Sequence, residues 1–319
     1  MNILITGCSG FIGFHLCEHL LKKGHKIFGV DNLNKYYSPI FKKKRLFILK
    51  KNKNFFFKKI DISNFHVINK LFNSNKFDII FHLAAQPGVR NSILHPEQYH
   101  LSNIIGFFNI VECARQKKIS KIIYASSSSV YGNAKKFPAT EDHIKTPESF
   151  YAFSKYNNEQ LAELYSNVYK MNFIGLRFFT VFGEWGRPDM FIGKLITSCI
   201  KNYKFNLNFF GNHQRDFTYI KDVIFMIDKL WNKPIKKKHQ IFNICSNRPL
   251  ILKKIIFIFK KHFSKVKFRL TKHQTGDVYK THGSNKLLEK TIGKINITSI
   301  EKSLSQTINW YKNNLDFIN

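Results

Sequence analysis

Short apolar runs alternate with longer stretches of helical periodicity along the first part of the chain. Ile3, Leu4 and Ile5 form a run short enough for a buried strand. An amphipathic segment follows, with Phe11, Ile12, Leu16, Leu20 and Leu21 on its apolar side. Lys26 to Val30 reads as a second strand ending at Asp31, and Phe55 to Phe57 leads through Ile60 to Asp61 and Ile62 as a third. Phe77 to His82, Lys121 to Ala125 and Asn172 to Phe179 supply further strands, while Asn103 to Gln116 and Tyr151 to Tyr169 read as helices. Such alternation predicts an α/β protein, a doubly wound parallel sheet with helices on both faces. Ligands of such sheets bind beyond the carboxyl ends of the strands. From about residue 180 the pattern turns mixed, with shorter strands and turn clusters. That change predicts a first lobe over 1–179 and a smaller mixed α/β substrate lobe over 180–319, with a return to the first lobe near 216–245.

The link between the first two strands carries chemistry. Gly7, Gly10 and Gly13 follow the first strand at once and open the first helix. Strand, glycine turn, helix, strand and acid within about 30 residues is the layout of a dinucleotide-binding, Rossmann-type unit. The glycines let the backbone approach a pyrophosphate that the helix N-terminus holds, with Phe11 and Ile12 at its start. Asp31 is placed to accept hydrogen bonds from the adenosine ribose. The same carboxylate repels a 2′-phosphate, so NAD is favoured over NADP. The spacing is Gly-x-x-Gly-x-x-Gly, unlike the Gly-x-Gly-x-x-Gly of the commonest dehydrogenases.

Four consecutive serines, Ser126 to Ser129, follow the fifth strand, and Tyr151 and Lys155 stand further on at i and i+4. That spacing puts a phenol and an ammonium on one helix face. A positive charge beside the phenol favours phenolate, so the Tyr151 pKa is expected to fall from about 10 toward neutrality. Tyr151 is then a candidate general base for a hydroxyl group.

Composition changes this picture little. At 319 residues the chain can bury a large core and divide into two lobes. It has neither an apolar run that spans a membrane nor a leading signal layout, so no membrane partner is expected. Five scattered cysteines, Cys8, Cys17, Cys113, Cys199 and Cys245, suit a reduced, cytoplasmic setting. The histidines show no metal-binding spacing, so no metal is expected. The net charge of +32 could suggest polyanions. However, the excess is mostly lysine, spread along the chain with no RNA-binding aromatic signature, so no specific nucleic-acid partner is expected. Lys42, Lys43, Lys44 and Arg45, like Lys236 to Lys238, read as solvated surface, able to bind polyanions nonspecifically at low salt.

Longer strings carry a resemblance. Gly10 to Leu16, Asp31 to Tyr37, His82 to Arg90, Tyr124 to Gly132, Arg177 to Gly183, Trp185 to Met190 and Arg215 to Ile220 occur in the order found in one family. They resemble the extended short-chain dehydrogenase/reductase family, the sugar-nucleotide epimerases and dehydratases. The closest likeness is to the UDP-glucuronate 4-epimerase branch, and it runs along almost the whole chain.

The resemblance implies an NAD-dependent isomerase acting on a UDP-sugar. It implies a catalytic set of Ser127, Tyr151 and Lys155, with Ser128 assisting at the substrate. To the glycine turn, Asp31, Tyr151 and Lys155 it adds Asn32, Asp61, Ile62, Leu83, Ala84, Ala85, Gln86 and Asn103 as cofactor residues. Arg187 and Thr180 are the implied partners of a sugar carboxylate, Arg215 of the UDP pyrophosphate, and Arg90 a helper at the mouth. A planar guanidinium suits a carboxylate, although Arg187 could instead form an ion pair with Asp189. A homodimer built from helices 103–116 and 151–169, and a role in polysaccharide biosynthesis, are also implied.

Dehydratases of the family carry an Asp-Glu pair where Ser128 and Ser129 stand, and the UDP-glucuronate decarboxylases a Glu, so those activities lack their acids here. A UDP-glucose or UDP-N-acetylhexosamine 4-epimerase, a UDP-glucuronate decarboxylase, which would need a Glu near Ser129, and a non-enzymatic NAD-bound protein remain as alternatives. The chain departs from the branch at Pro87, Phe182, Glu184, Lys221 and Thr275. Glu184 is expected to compete for Arg187.

Overall fold

The computed structural model describes residues 1–263, 266–271 and 278–315; Thr275 lies outside them. The first six strands are β1 Asn2–Thr6, β2 Lys26–Asp31, β3 Phe55–Lys59, β4 Ile79–His82, β5 Lys121–Ser127 and β6 Asn172–Phe178. β7 Thr180–Phe182, β8 Phe205–Asn208, β9 Gln214–Tyr219, β10 His239–Ile244, β11 Pro249–Ile251 and β12 Phe268–Thr271 follow. A seven-stranded sheet runs β10-β6-β5-β4-β1-β2-β3, parallel throughout. The order reverses beside β1, as in a Rossmann-type fold.

Period-two alternation divides the core between the two faces of this sheet. Ile3, Ile5, Ile79, Phe81 and Ile123 pack on one side. Leu4, Ile80, Ile122 and Tyr124 pack on the other. Both faces are covered, which is why these strands read as continuous apolar runs.

The later strands form two small sheets, β11-β9-β7 and β12-β8. β7 pairs parallel with β9, and β9 antiparallel with β11. β10 leaves this region and pairs with β6 in the large sheet, Ile244 beside Phe178. Of the segment 216–245, β10 lies in the large sheet after helix Ile220–Trp231, while β9 stays in the small sheet.

Two elements differ from their sequence patterns. β3 ends at Lys59, which leaves Asp61 and Ile62 in the following turn. The helix expected from Asn103 is entered through a π-helical turn, His100–Ile105, before Gly106–Gln116 continues as α-helix. Single π turns of this kind recur at functional sites.

Parallel register brings the strand ends together. Thr6 lies beside Val30 and His82, His82 beside Tyr124, and Ser127 beside Phe178. The segments after these residues converge on one edge, beside Thr180 and Val181 of β7 and Arg215 of β9.

Candidate active site

A cavity of about 510 Å³ follows that edge. Gly7 stands at its start with φ +72°, and a Cβ there would lie 2.7 Å from the Ala84 backbone nitrogen. A Cβ on Gly13 would meet the Gly7 carbonyl at 2.1 Å. Only glycine allows this close approach of turn, helix and β4 loop. Helix Phe11–Lys22 begins at Gly10 with no side-chain cap, so its first N–H groups are left for an anion.

Asp31 ends β2 at the cavity wall. Its carboxylate accepts from the Ser9 N–H (3.1 Å) and the Leu33 N–H (2.8 Å). Burial pushes its pKa up, against the charge of Lys42 and these two hydrogen bonds. Lys42 also lines the cavity and reaches Asn34. Asn32 lines the wall and donates to Asp61 at 3.0 Å. Burial works against the Asp61 carboxylate, but hydrogen bonds from Asn32 and Ser63 outweigh it and hold the pKa down.

At the other end lie Ser127, Ser128, Tyr151 and Lys155. Helix Phe150–Tyr169, capped by Ser149, carries Tyr151, Lys155 and Glu159 one turn apart. Glu159 forks the buried Arg177 of β6 at 2.8 and 2.7 Å and accepts from Ser126 at 2.5 Å. Those bonds fix the helix against β5 and β6, and so fix the two residues that precede Glu159 on the same face. The Lys155 ammonium donates to the Ala125 carbonyl at 2.9 Å. Burial lowers its pKa to about 8.

The Tyr151 phenol departs from its expected titration. Burial raises its pKa above the ordinary value, opposed by a hydrogen bond with Ser127 and by the charge of Arg187. The neighbouring lysine does not bring it toward neutrality in this structure. Phenolate loses solvation in the cavity, and Lys155 directs its ammonium at Ala125.

Thr180, Arg187, Met190 and Arg215 line the same cavity. Arg187 forks Asp189, Nε to Oδ1 at 3.1 Å and Nη2 to Oδ2, and lies over the Tyr36 ring at 5.5 Å. Cavity lining and ion pair therefore occur together in this residue. Glu184 does not compete for Arg187. Its carboxylate accepts from the Tyr219 hydroxyl at 2.7 Å and pairs with Lys221 at 2.9 Å. The two departures from the family pattern, Glu184 and Lys221, thus partner each other. Arg215 donates to the carbonyls of Gln214 and Tyr279.

Gly7, Gly10, Phe11, Ile12, Gly13, Ile62, Leu83, Ala84 and Ala85 join the residues above on the cavity wall, whereas Asp61, Gln86, Arg90 and Asn103 do not. Asn103 is fully buried in the π turn. It accepts from the Gln86 N–H at 2.7 Å and donates to the Gln86 carbonyl and to Ser154. It ties the β4 loop to the helix of Tyr151. Arg90 is exposed at the start of a short helix.

Sequence reasoning missed several contributors. Lys42 and Arg45, read as solvated surface, are 6% and 0% exposed. Their three-residue spacing, in step with Phe41 and Leu49, was the available signal. Tyr36 and Tyr99 flank Tyr151. Arg177 gave itself away only as a charge inside an apolar strand.

Over residues 3–245 the chain matches the model of the NAD dependent epimerase/dehydratase family. It belongs to that family. It is 38% identical to Protein CapI of Staphylococcus aureus, covering 98% of both chains. UDP-glucuronate 4-epimerase 4 of Arabidopsis thaliana is 34% identical, over 98% of this chain and 75% of the relative. A crystal structure of UDP-glucuronic acid 4-epimerase from Bacillus cereus, in complex with UDP-glucuronic acid and NAD, superposes with a TM-score of 0.91. The identity there is 30%, over 98% of this chain and 99% of that one. The glycine cradle, the uncapped helix start and Asp31 on one cavity wall fit a dinucleotide of the kind this family uses.

Proposed function

We propose that the protein is an isomerase that interconverts UDP-glucuronate and UDP-galacturonate by inverting carbon 4. The observation that carries this reading is one cavity lined by Ser127, Tyr151 and Lys155 together with Thr180 and Arg187. When bound, NAD supplies a reversible acceptor for the hydride of carbon 4, so no net redox change occurs. Gly7, Gly10, Gly13, Phe11, Ile12, Asp31 and Asn32 hold it, with Ile62 and the Leu83 to Ala85 loop alongside; Asp61, Gln86 and Asn103 brace that wall from behind.

Tyr151, hydrogen-bonded to Ser127, takes the proton of the 4-hydroxyl and returns it after the keto sugar has turned over. Lys155 holds positive charge beside the cofactor ribose and the phenol, and Ser128 steadies the hydroxyl. Arg187 and Thr180 bind the carboxylate of the sugar. Arg215 faces the pyrophosphate of UDP, and Arg90 adds charge at the mouth.

A carboxylate-directed arginine favours the glucuronate substrate over UDP-glucose or a UDP-N-acetylhexosamine, which offer it no anion. Decarboxylase and dehydratase chemistry lack an acid at Ser128 and Ser129. Incubation of the purified protein with UDP-glucuronate, followed by proton NMR, tests the reading. UDP-galacturonate is the expected product, and Tyr151→Phe should abolish it while leaving cofactor binding intact. Conversion of UDP-glucose but not of UDP-glucuronate would overturn it.

The reading extends to assembly and place. Leu101 and Phe108 are 53% and 41% exposed on one helical segment, and Phe153, Leu164 and Val168 are 45%, 54% and 57% exposed on the helix of Tyr151. These apolar stripes support a homodimer packed through both helices. No helix among the described residues is long and apolar enough to cross a membrane. As a separate part of the proposal, the enzyme is cytoplasmic and supplies uronate units for polysaccharide biosynthesis.

A further inference from the structure

Residues 183–190 form a strap that places Arg187 and Met190 at the cavity wall. Its conformation is unusual, because Trp185 has φ +58° and Gly183 φ +147°. A bulky residue in the left-handed region persists only where its surroundings over-determine it. Those surroundings are specific here. Three consecutive carbonyls of the strap accept hydrogen bonds from three separate elements.

His15, on the helix that opens at the glycine turn, donates from Nε2 to the Glu184 carbonyl at 2.9 Å. Arg45, fully buried, donates from Nη2 to the Trp185 carbonyl. Tyr311, on helix Ile300–Lys312 and 1% exposed, donates to the Gly186 carbonyl at 3.2 Å. The Trp185 ring packs against Phe14 at 5.4 Å and Trp310 at 4.8 Å. Arg45 has a second hold: its Nη1 donates to the Ser9 carbonyl at 3.0 Å and to the Tyr37 hydroxyl at 2.8 Å. One guanidinium thereby joins the glycine turn, the loop after β2 and the strap.

We propose that Arg45 and Tyr311 are positioning residues that hold the strap so that Arg187 keeps the sugar carboxylate out of line for decarboxylation. This rests on the glucuronate reading. Once carbon 4 is a ketone, the carboxyl at carbon 5 belongs to a β-keto acid. If the bond from carbon 5 to the carboxylate aligns with the carbonyl π system, it breaks and carbon dioxide leaves. Its electron pair forms the enolate of carbons 4 and 5, carbon 5 takes a proton from water, and the hydride stored on the cofactor returns to carbon 4. The product is a UDP-pentose. A fixed Arg187 suppresses that alignment, and a strap loosened at the Trp185 or Gly186 carbonyl permits it.

The test uses Tyr311→Phe, which removes one donor at constant shape, and Arg45→Lys, which cannot reach all three acceptors. Each purified enzyme is incubated with UDP-glucuronate, and UDP-galacturonate and UDP-pentose are quantified by proton NMR. The ratio of the two products is independent of the folded fraction, so a variant that merely folds poorly leaves it unchanged. The expected result is a rise in the pentose share of about fivefold for Tyr311→Phe, the population change one lost hydrogen bond allows. A larger rise is expected for Arg45→Lys, with KM for UDP-glucuronate raised in both. An unchanged ratio and KM in both variants would overturn the proposal. Wild-type protein that makes no UDP-galacturonate would instead overturn the glucuronate reading beneath it.

Discussion

Replacing Arg187 by methionine should change which substrate the enzyme prefers. The side chain is 18% exposed, forks Asp189 and lies over Tyr36, so the guanidinium is already placed before substrate arrives. Asp189 takes the Nε and Nη2 edge of the guanidinium, and the Nη1 donors remain for a substrate carboxylate, so the smallest loss is one charge-assisted hydrogen bond. Such a bond is worth roughly 2 kcal/mol, or about 30-fold in kcat/KM.

Two side effects need separating from that loss. Arg187 also opposes the rise in the Tyr151 pKa, so removing it leaves less of Tyr151 as phenolate for every substrate. Asp189 is left without its cation, a destabilisation that Asp189→Asn relieves. The comparison is therefore Arg187→Met in the Asp189→Asn background against Asp189→Asn alone, with kcat/KM measured for UDP-glucuronate and UDP-glucose. Any change in the base cancels in the ratio of the two substrates. The predicted outcome is a fall of about 30-fold in that ratio. An equal loss for both substrates would refute the carboxylate role of Arg187.

Gly7→Ala should abolish cofactor retention, because the new methyl collides with Ala84 backbone at a positive φ; the absorbance of released dinucleotide after denaturation reads this directly. If the proposed homodimer forms through this stripe, the wild type should elute as a dimer and Leu164→Glu with Val168→Glu as a monomer by size-exclusion chromatography, since both side chains stand exposed. His82 is 1% exposed, and burial, with the nearby charge of Lys155, lowers its pKa to about 3. A lowered folded pKa leaves stability complete above the unfolded value of about 6.5 and removes it as pH falls toward 3. Thermal midpoints measured from pH 7 to 4 should fall more steeply in the wild type than in His82→Gln.

The main sheet was legible because each buried strand is a short apolar run with a periodic helix after it. The glycine turn and Asp31 were legible for a related reason: close backbone approach admits only glycine, and spacing alone reveals that. Arg45 and Lys42 were not, because a run of four cations looks the same on paper whether it faces water or not. Only their helical phase against Phe41 and Leu49 distinguishes the buried pair from exposed Lys43. The strap was equally hidden. Its hold comes from His15, Arg45 and Tyr311, residues separated by most of the chain and joined only by the fold. The Tyr151 pKa failed for a different reason. A helical spacing gives proximity to Lys155 but says nothing of burial, and burial dominates here.

In the proposed reaction, carbon 4 is oxidised and reduced within one binding event by a hydride that never leaves the protein. UDP-glucuronate deuterated at carbon 4, incubated without added NAD and followed by NMR and mass spectrometry, tests it most directly. The expected product is UDP-galacturonate that retains deuterium at carbon 4. Galacturonate formed with loss of that deuterium to solvent would contradict it.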